Sequence, residues 1–511
     1  MTSVTLNGRS NTYEEDQHVN DSPRTPAAGR RRLSAWGIAF LVVSAAAPLT
    51  VVVSAAPMDF RLGGIGAPGS MLLCGAVLLL FAFGFNAMTS HVPNAGAFYA
   101  YARHGLGRGA GVGLALVTLF SYVVLNLAFY AFIGFFGSML FENLWGIANP
   151  WWACALVAAL GVGILGARQV DVGAKVLAVL VTAEVAILLV LAVAVLVQGG
   201  PEPVSGAGFD PAHVLFGGGI AALLVIGFGA YLGFEGTAIY AEEAKDPDRT
   251  VPKATYAVVA GLALFYAFAF WILTVAFGVD GVIAFALGDG FADMVPVAAT
   301  GYLGAWAGDV ISVLIVTSFL ACALSFHNAS TRYVFSLARE GLLLRRFKRL
   351  STRTQAPVAA SVAISALAAA ALVVAALTIA DPYLGLARWT SATGVQGLVF
   401  SQAVAAIAVV AYFARDRRGH SLWRVLVAPA LGAAGLCLGF VLIVSNFEIT
   451  SGMQGWVNAL LIAPTPILFL AGFAVSAILR RTRPQTWEEL GRADQERQAH
   501  GSDAAPATLR R

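Results

Sequence analysis

The sequence predicts an all-α polytopic membrane protein with twelve transmembrane helices, and three observations lead to this fold class. Hydrophobic residues make up 58% of the 511 residues and charged residues only 12%, whereas soluble domains have roughly 45–50% and about 25%. The mean hydropathy is +0.77. The apolar residues fall into runs of the length that crosses a bilayer, about 20 residues each. These figures exclude soluble, disordered, collagen-like and coiled-coil classes.

Twelve apolar runs are long enough to span the membrane, and they are numbered here as segments in chain order. Segments 1 to 12 cover residues 34–57, 66–90, 109–140, 150–167, 172–198, 213–240, 253–278, 299–331, 357–380, 389–414, 424–446 and 456–480. The polar residues 1–33 are predicted to be a disordered tail and residues 481–511 a second tail. The N-terminal polar stretch is too long and too acidic for a cleaved signal peptide.

The lysines and arginines predict the orientation of the segments, because basic residues favour the cytoplasmic side. With an even number of crossings and both ends in the cytoplasm, Arg61 and Arg388 are the only basic residues on the outer side. The other 30 of the 32 face inward. The expected location is therefore the plasma membrane, with both tails cytoplasmic.

Segments 1 and 6 are predicted to be unwound at mid-membrane. Pro48 in segment 1 lacks an N–H group and clashes with the carbonyl of Ser44. Segment 6 has four glycines within residues 227–236, each of which weakens a helix by about 1 kcal/mol relative to alanine. An ordinary kink is the alternative for either segment alone. Their matching positions predict a five-plus-five inverted repeat, residues 34–198 and 213–414, followed by two extra helices in 424–480.

Interrupted helices at equivalent positions are typical of the substrate site of a secondary transporter. Free amides after the break suit a carboxylate, and free carbonyls before it suit an ammonium group. Phe228 and Tyr231 are expected to wall the side-chain pocket, although ordinary packing would also explain them. The predicted substrate-binding residues are Ala46, Ala47, Pro48, Leu49, Thr50, Phe228, Gly229, Ala230, Tyr231 and Gly233.

Three motifs in order along the chain resemble those of the amino acid–polyamine–organocation (APC) permeases. Residues 233–254 read GFEGTAIYAEEAKDPDRTVPKA, residues 93–101 read PNAGAFYAY, and residues 328–341 contain NASTRY and LAREG. The resemblance covers about residues 34–480. It implies the leucine-transporter-like fold and secondary active transport of amino acids or related amines. Many members have Gly-Ser-Gly at the first break, whereas this chain has Ala46-Ala47-Pro48.

Glu184, in segment 5, stands where proton-coupled members often carry a lysine. A carboxyl group at this depth is costly and therefore a functional candidate. We expect it to couple transport to protons. The alternatives are a sodium site completed by the hydroxyls of Ser318 and Ser325, or a purely structural role.

Other ionisable residues within or beside the segments are Glu235, His327 and, at the inner end of segment 6, Glu242 and Glu243. Glu243 is predicted to form an inner gate with Arg103 and Arg339, and Glu235 belongs to the same signature. An interfacial salt bridge with Arg103 or Arg249 is the alternative for Glu242 and Glu243.

A membrane-embedded enzyme and a channel are the rival classes. Metal chemistry would need clustered histidines or carboxylates, and only His327 of the seven histidines lies well inside a segment. The four cysteines form no CxxC pair, and no repeated filter loop is present. We therefore predict a non-enzymatic permease without cofactor, metal or nucleic-acid partner. A neutral amino acid is the first candidate substrate, and a cationic amino acid or polyamine is the second.

Overall fold

The computed structural model describes residues 34–92, 98–168, 174–239, 244–352 and 356–489. Within these ranges the chain is helical, with loops and turns between the helices and no strand. Ten helical stretches are long and apolar enough to cross a membrane. This confirms the all-α membrane class.

Helix occupies every predicted segment. In segments 1 to 5 the helices are Ala35–Ala46, Pro48–Thr50, Val51–Ala55 (a π-helix), Ala56–Gly63, Ala67–His91, Arg108–Trp145, Trp151–Arg168 and Ala174–Gln198. In segments 6 to 9 they are Pro211–Phe216, Ile220–Ala230, Gly236–Ile239, Pro247–Phe277, Met294–Leu303, Ala305–Arg339 and Val358–Thr378. In segments 10 to 12 they are Pro382–Ala387 (π), Arg388–Arg415, Trp423–Val427 (π), Ala428–Ser445, Gly455–Ile462 and Pro464–Thr482. Shorter helices connect them at Phe98–Leu106, Val279–Leu287, Phe447–Ser451 and Pro484–Glu489.

Several predicted boundaries differ from the structure, and each difference has a local cause. Segment 8 was predicted to start at residue 299, but Gly304, with φ 95°, separates Met294–Leu303 from Ala305–Arg339. Segment 6 begins at Ile220, because three glycines follow Phe216. Segment 12 is divided before Pro464, which has no N–H group to continue the helical ladder.

Segment 3 is the central pillar of the bundle. Its helix Arg108–Trp145 packs against segments 4, 8, 10 and 12 and against the connecting helix Phe98–Leu106. Segments 7 and 10 are also central, because 67% of an 18-residue apolar stretch in each is buried inside the protein. By contrast only 22% of segment 12 and 28% of segment 4 are buried. The helix Ala35–Ala46 of segment 1 packs against segments 5, 7 and 8, and Ile220–Ala230 of segment 6 packs against segments 2, 10 and 11. Both broken segments are thus surrounded by other helices, where unwound backbone is protected from lipid.

Candidate functional site

The break in segment 1 is a single residue wide. Ala47 adopts a left-handed conformation (φ 42°, ψ 79°) between the helix that ends at Ala46 and the helix that begins at Pro48. Its N–H group still donates to the carbonyl of Val43 at 3.0 Å. A non-glycine residue with positive φ is uncommon. An alanine thus occupies the left-handed turn at this break, a conformation that glycine adopts more readily.

The amides just beyond this break are already engaged. Pro48 has none, and the Thr50 N–H group donates to the Ala47 carbonyl at 2.9 Å. The Leu49 N–H group donates to the Glu184 carboxyl at 3.4 Å. The sequence predicted free amides for a substrate carboxylate at this point. In the structure, the carboxyl group that faces the Leu49 amide belongs to the chain itself.

The break in segment 6 covers residues 231–235, between Ile220–Ala230 and Gly236–Ile239. Gly233 has a φ of 98°, which only glycine adopts without strain. Its N–H group donates to the Glu235 carboxyl at 3.1 Å. The other carboxyl oxygen of Glu235 accepts a 2.9 Å bond from the Tyr122 hydroxyl on segment 3. Through these two bonds Glu235, which is only 4% exposed, links the break in segment 6 to segment 3.

A cavity of about 150 Å³ lies between the two broken segments and segments 3, 8 and 10. The described lining residues from segment 1 and its extension all follow the break at Ala47, and those from segment 6 lie mainly in the helix before its break. The lining residues are Thr50, Val51, Ser54, Ala55, Met58, Leu62, Leu125, Phe129, Phe132, Val225, Ile226, Gly229, Ala230, Leu232, Phe319, Tyr383, Arg388, Ser391, Ala392, Val395 and Thr450.

Three of the predicted binding residues line this cavity: Thr50, Gly229 and Ala230. The others lie elsewhere around the breaks. The Tyr231 hydroxyl donates to the Met71 carbonyl of segment 2 at 2.5 Å. Phe228 packs so closely on segment 11 that a side chain at Gly439 would meet its ring. Ala47 and Gly233 lie within the breaks, and Ala46, Pro48 and Leu49 belong to the helix ends beside Ala47.

The aromatic wall of the cavity was missed by the sequence analysis. The Phe132 ring on segment 3 stacks on Phe319 of segment 8, with centroids 4.8 Å apart. It also meets the edge of Tyr383 at 5.2 Å. The Tyr383 hydroxyl donates to the Ser54 carbonyl on segment 1. The spacing of Phe129 and Phe132 on one helical face was the available signal, but apolar aromatic residues at that spacing are common in any membrane helix.

Glu184 is buried, with 1% of its surface exposed. Ser318 and Cys322 of segment 8 and Tyr266 of segment 7 lie around it. The Ser318 hydroxyl faces the Glu184 carboxyl, and within the described residues the Tyr266 hydroxyl has no hydrogen-bond partner. Ser325, two helical turns beyond Ser318 on the same helix, is half-buried.

The predicted gate residue Glu243 lies outside the described residues, as does Glu242. Arg339 lies with its guanidinium 5.6 Å from the ring of Phe335, and Arg103 is on the connecting helix Phe98–Leu106. Glu340, which follows Arg339, accepts a hydrogen bond from Tyr99 of the connecting helix Phe98–Leu106. His327 bonds Ser361 at 2.8 Å. No group of three His, Cys, Asp or Glu side chains in the described ranges could hold a metal ion.

Comparison with known families identifies the fold. The amino acid permease family model matches residues 37–488. The chain belongs to the amino acid permease family. This confirms the resemblance to the APC superfamily that its three motifs indicated.

Curated relatives of this permease carry different substrate names. It is 29% identical over 324 residues to "Cationic amino acid transporter 4, vacuolar" of Arabidopsis thaliana, an alignment that covers 59% of this chain and 51% of that protein. It is 24% identical over 355 residues to the lysine-specific permease LysP of Escherichia coli, covering 65% and 69%. It is 29% identical over 211 residues to the L-asparagine permease of Salmonella typhimurium, covering 38% and 40%. The chain thus spans about half the length of the Arabidopsis relative.

Proposed function

We propose that this permease is a secondary active transporter that takes up amino acids across the plasma membrane by alternating access. The observation that carries the proposal is the cavity between the two helix breaks. Broken helices at a central cavity are the arrangement that transporters use to bind a substrate through backbone groups. The names of the relatives, which include lysine and asparagine permeases, support amino acids as the substrate class.

The proposed topology has twelve crossings with both termini in the cytoplasm. Ten stretches satisfy the length requirement, because the stretch Pro48–His91 joins the second half of segment 1 to segment 2 and because the halves of segment 6 are each too short. The breaks at Ala47 and at residues 231–235 occupy the first segment of each group of five. This correspondence supports an inverted repeat over residues 34–198 and 213–414.

The proposed conformation is outward-facing. In this topology the cavity is lined by the outer half of segment 1 and the outer half of segment 6. The inner halves, Ala35–Ala46 and Gly236–Ile239, pack against each other. In alternating access, one end conformation has a cavity on one side of the binding site and closely packed helices on the other side. The outer cavity and the packed inner halves match the outward-facing conformation.

Protons are the proposed coupling ion, and Glu184 is the proposed carrier. An ionised carboxylate accepts a stronger hydrogen bond from the Leu49 amide than a neutral carboxyl does. Deprotonation therefore ties segment 1 to segment 5, and protonation loosens this link. A proton taken from outside would loosen the attachment of segment 1 just beyond its break, so that the inner half could turn about Ala47 and swing away. Its release to the cytoplasm would restore the link and reset the transporter.

The test is Glu184→Gln in proteoliposomes. Glutamine still offers an oxygen to the Leu49 amide but cannot exchange a proton, so counterflow of labelled amino acid should persist while accumulation driven by a pH gradient should vanish. Glu142→Gln makes the same chemical change at an exposed position and should behave like the wild type. Gradient-driven accumulation by Glu184→Gln would refute the coupling role. Absence of saturable uptake for every amino acid would refute the transport function.

A further inference from the structure

Among the described residues that line the cavity, Arg388 has the only charged side chain. It begins the long helix of segment 10, directly after the π-helix Pro382–Ala387. The remaining lining is aliphatic and aromatic, with hydroxyls of serine, threonine and tyrosine. A single charge in an apolar cavity dominates the electrostatics there, because the surroundings screen it poorly.

The loop after segment 11 holds the guanidinium in one orientation. Its Nε and Nη2 atoms donate to the carbonyls of Thr450 and Ile449, both at 2.7 Å. Gly452 leaves the space for the other nitrogen, because a Cβ atom there would lie 2.6 Å from Nη1. A guanidinium has five N–H groups, so three remain for a ligand after these two bonds.

The charge of Arg388 is not neutralised by a carboxylate in the described part of the chain, where its only recorded polar partners are two carbonyls. The four buried carboxylates of the described residues have other partners: Glu184 accepts from Leu49, Glu235 from Tyr122, Asp59 from Ser70 and Glu340 from Tyr99. The nearby carboxylate of Asp381 caps the amides of the π-helix at 2.8 and 3.0 Å. The cavity therefore has a positive group without a matching negative one.

A second cation lies at the same end of the cavity. The Arg61 guanidinium donates to the Ala286 carbonyl at 2.9 Å and lies 4.9 Å from the ring of Phe291. Phe291 in turn meets Tyr383, 5.1 Å away, and Tyr383 lines the cavity. Arg61 and Arg388 are the only two basic residues on the side predicted to face outward. The fold thus brings Arg61 near Arg388, which lines the cavity.

We propose that Arg388 determines the charge of the substrate by binding a substrate carboxylate. The inference rests on the proposed function, since it assigns the substrate class of the same cavity. The free N–H groups of the guanidinium match the two oxygens of a carboxylate. The apolar wall accommodates a neutral side chain, and a second carboxylate is attracted by the same charge. A cationic side chain is repelled and finds no carboxylate in the lining.

The experiment measures ligand-induced thermal stabilisation of the purified permease by leucine, glutamate, lysine and isopentylamine, the last being leucine without its carboxylate. Leucine or glutamate should stabilise the wild type, whereas lysine and isopentylamine should bind at least tenfold more weakly. Arg388→Gln should weaken binding of the carboxylate ligand at least tenfold, and Arg388→Lys should weaken it less. Gly452→Ala should also weaken binding, because it displaces the guanidinium. Arg249→Gln, at an exposed residue paired with Asp246, is the matched control.

The outcomes separate this inference from the proposed function. Carboxylate binding that depends on Arg388, without uptake in proteoliposomes, would support the inference and refute the transport function. Uptake of amino acids with unchanged affinity in Arg388→Gln would refute the inference alone. Lysine binding as tightly as leucine and glutamate in the wild type would also overturn it. Binding of no ligand in the panel would count against both. If Arg388→Gln does not fold, the affinities of Arg388→Lys and Gly452→Ala for the carboxylate ligand test the inference instead.

Discussion

The hydrogen bond between Tyr122 and Glu235 offers a direct measure of what holds the broken segment 6 in place. Tyr122→Phe removes one hydroxyl group and keeps the ring, which packs against Phe326 and Tyr333 at centroid distances of 5.5 and 5.8 Å. Both bonded partners are 4% exposed, so water cannot replace the lost donor. Glu235 would keep only the 3.1 Å bond from the Gly233 amide.

The expected loss of stability follows from this geometry. A buried hydrogen bond to a neutral group contributes about 0.5–1.5 kcal/mol, and one to a charged group about 1.5–3 kcal/mol. Tyr122→Phe should therefore lower the free energy of unfolding by an amount within these ranges, and its size reports whether Glu235 is ionised. A double-mutant cycle with Glu235→Gln isolates the pairwise part.

The assay combines denaturant unfolding in detergent with uptake in proteoliposomes. Tyr101→Phe is the control, because it removes a 2.7 Å bond between a buried tyrosine and Thr89 outside the cavity lining. We expect both variants to lose stability, but only Tyr122→Phe to lose uptake severalfold. A coupling free energy of zero between Tyr122 and Glu235, or wild-type uptake by Tyr122→Phe, would refute the role of this bond at the break.

Three further changes test other parts of the structure. Ala47→Gly relieves the strain of the left-handed conformation but raises the conformational entropy of the unfolded chain, so its melting temperature should match that of the wild type. Ala39→Gly, in the helix interior, should lower the free energy of unfolding by about 1 kcal/mol. Tyr383→Phe removes the bond to Ser54, worth about 1 kcal/mol. If this bond across the cavity retains bound substrate, the variant should release labelled substrate about fivefold faster, and an unchanged rate of dissociation would refute that role. In the loop before segment 11, burial and the nearby Arg424 hold the pKa of His420 below its usual 6.5. The unfolded chain therefore takes up this proton first, and stability should fall below about pH 6.5, less so in His420→Gln; identical pH profiles would contradict this.

The sequence predicts the breaks because proline and glycine act on their own backbone. Pro48 ends one helix wherever its neighbours lie, and Gly233 permits a turn that other residues resist. The family resemblance and the apolar runs were sufficient for the fold class. Boundaries failed where single glycines such as Gly304 divided an apolar run that the count treated as continuous.

The walls of the cavity could not be predicted in this way, because they depend on which helices pack together. Phe132 and Phe319 stack across two segments that are far apart in sequence. The bond from Leu49 to Glu184 joins residues 135 positions apart. The charge count identified Arg388 as unusual for its side of the membrane, but only the packing of segment 10 places it at the cavity.

The buried glutamates Glu184 and Glu235 each accept a hydrogen bond from an amide at a helix break, and this pattern explains why the breaks are tolerated. An unsatisfied amide in an apolar interior costs several kcal/mol. Leu49 and Gly233 avoid this cost by donating to Glu184 and Glu235. A substrate carboxylate must then displace a glutamate from its amide or bind elsewhere, and the free N–H groups of Arg388 are the available alternative. Glu184 can serve both structure and coupling, because protonation changes the strength of the same bond that satisfies the break. Replacement by glutamine separates the two roles, whereas alanine would remove both.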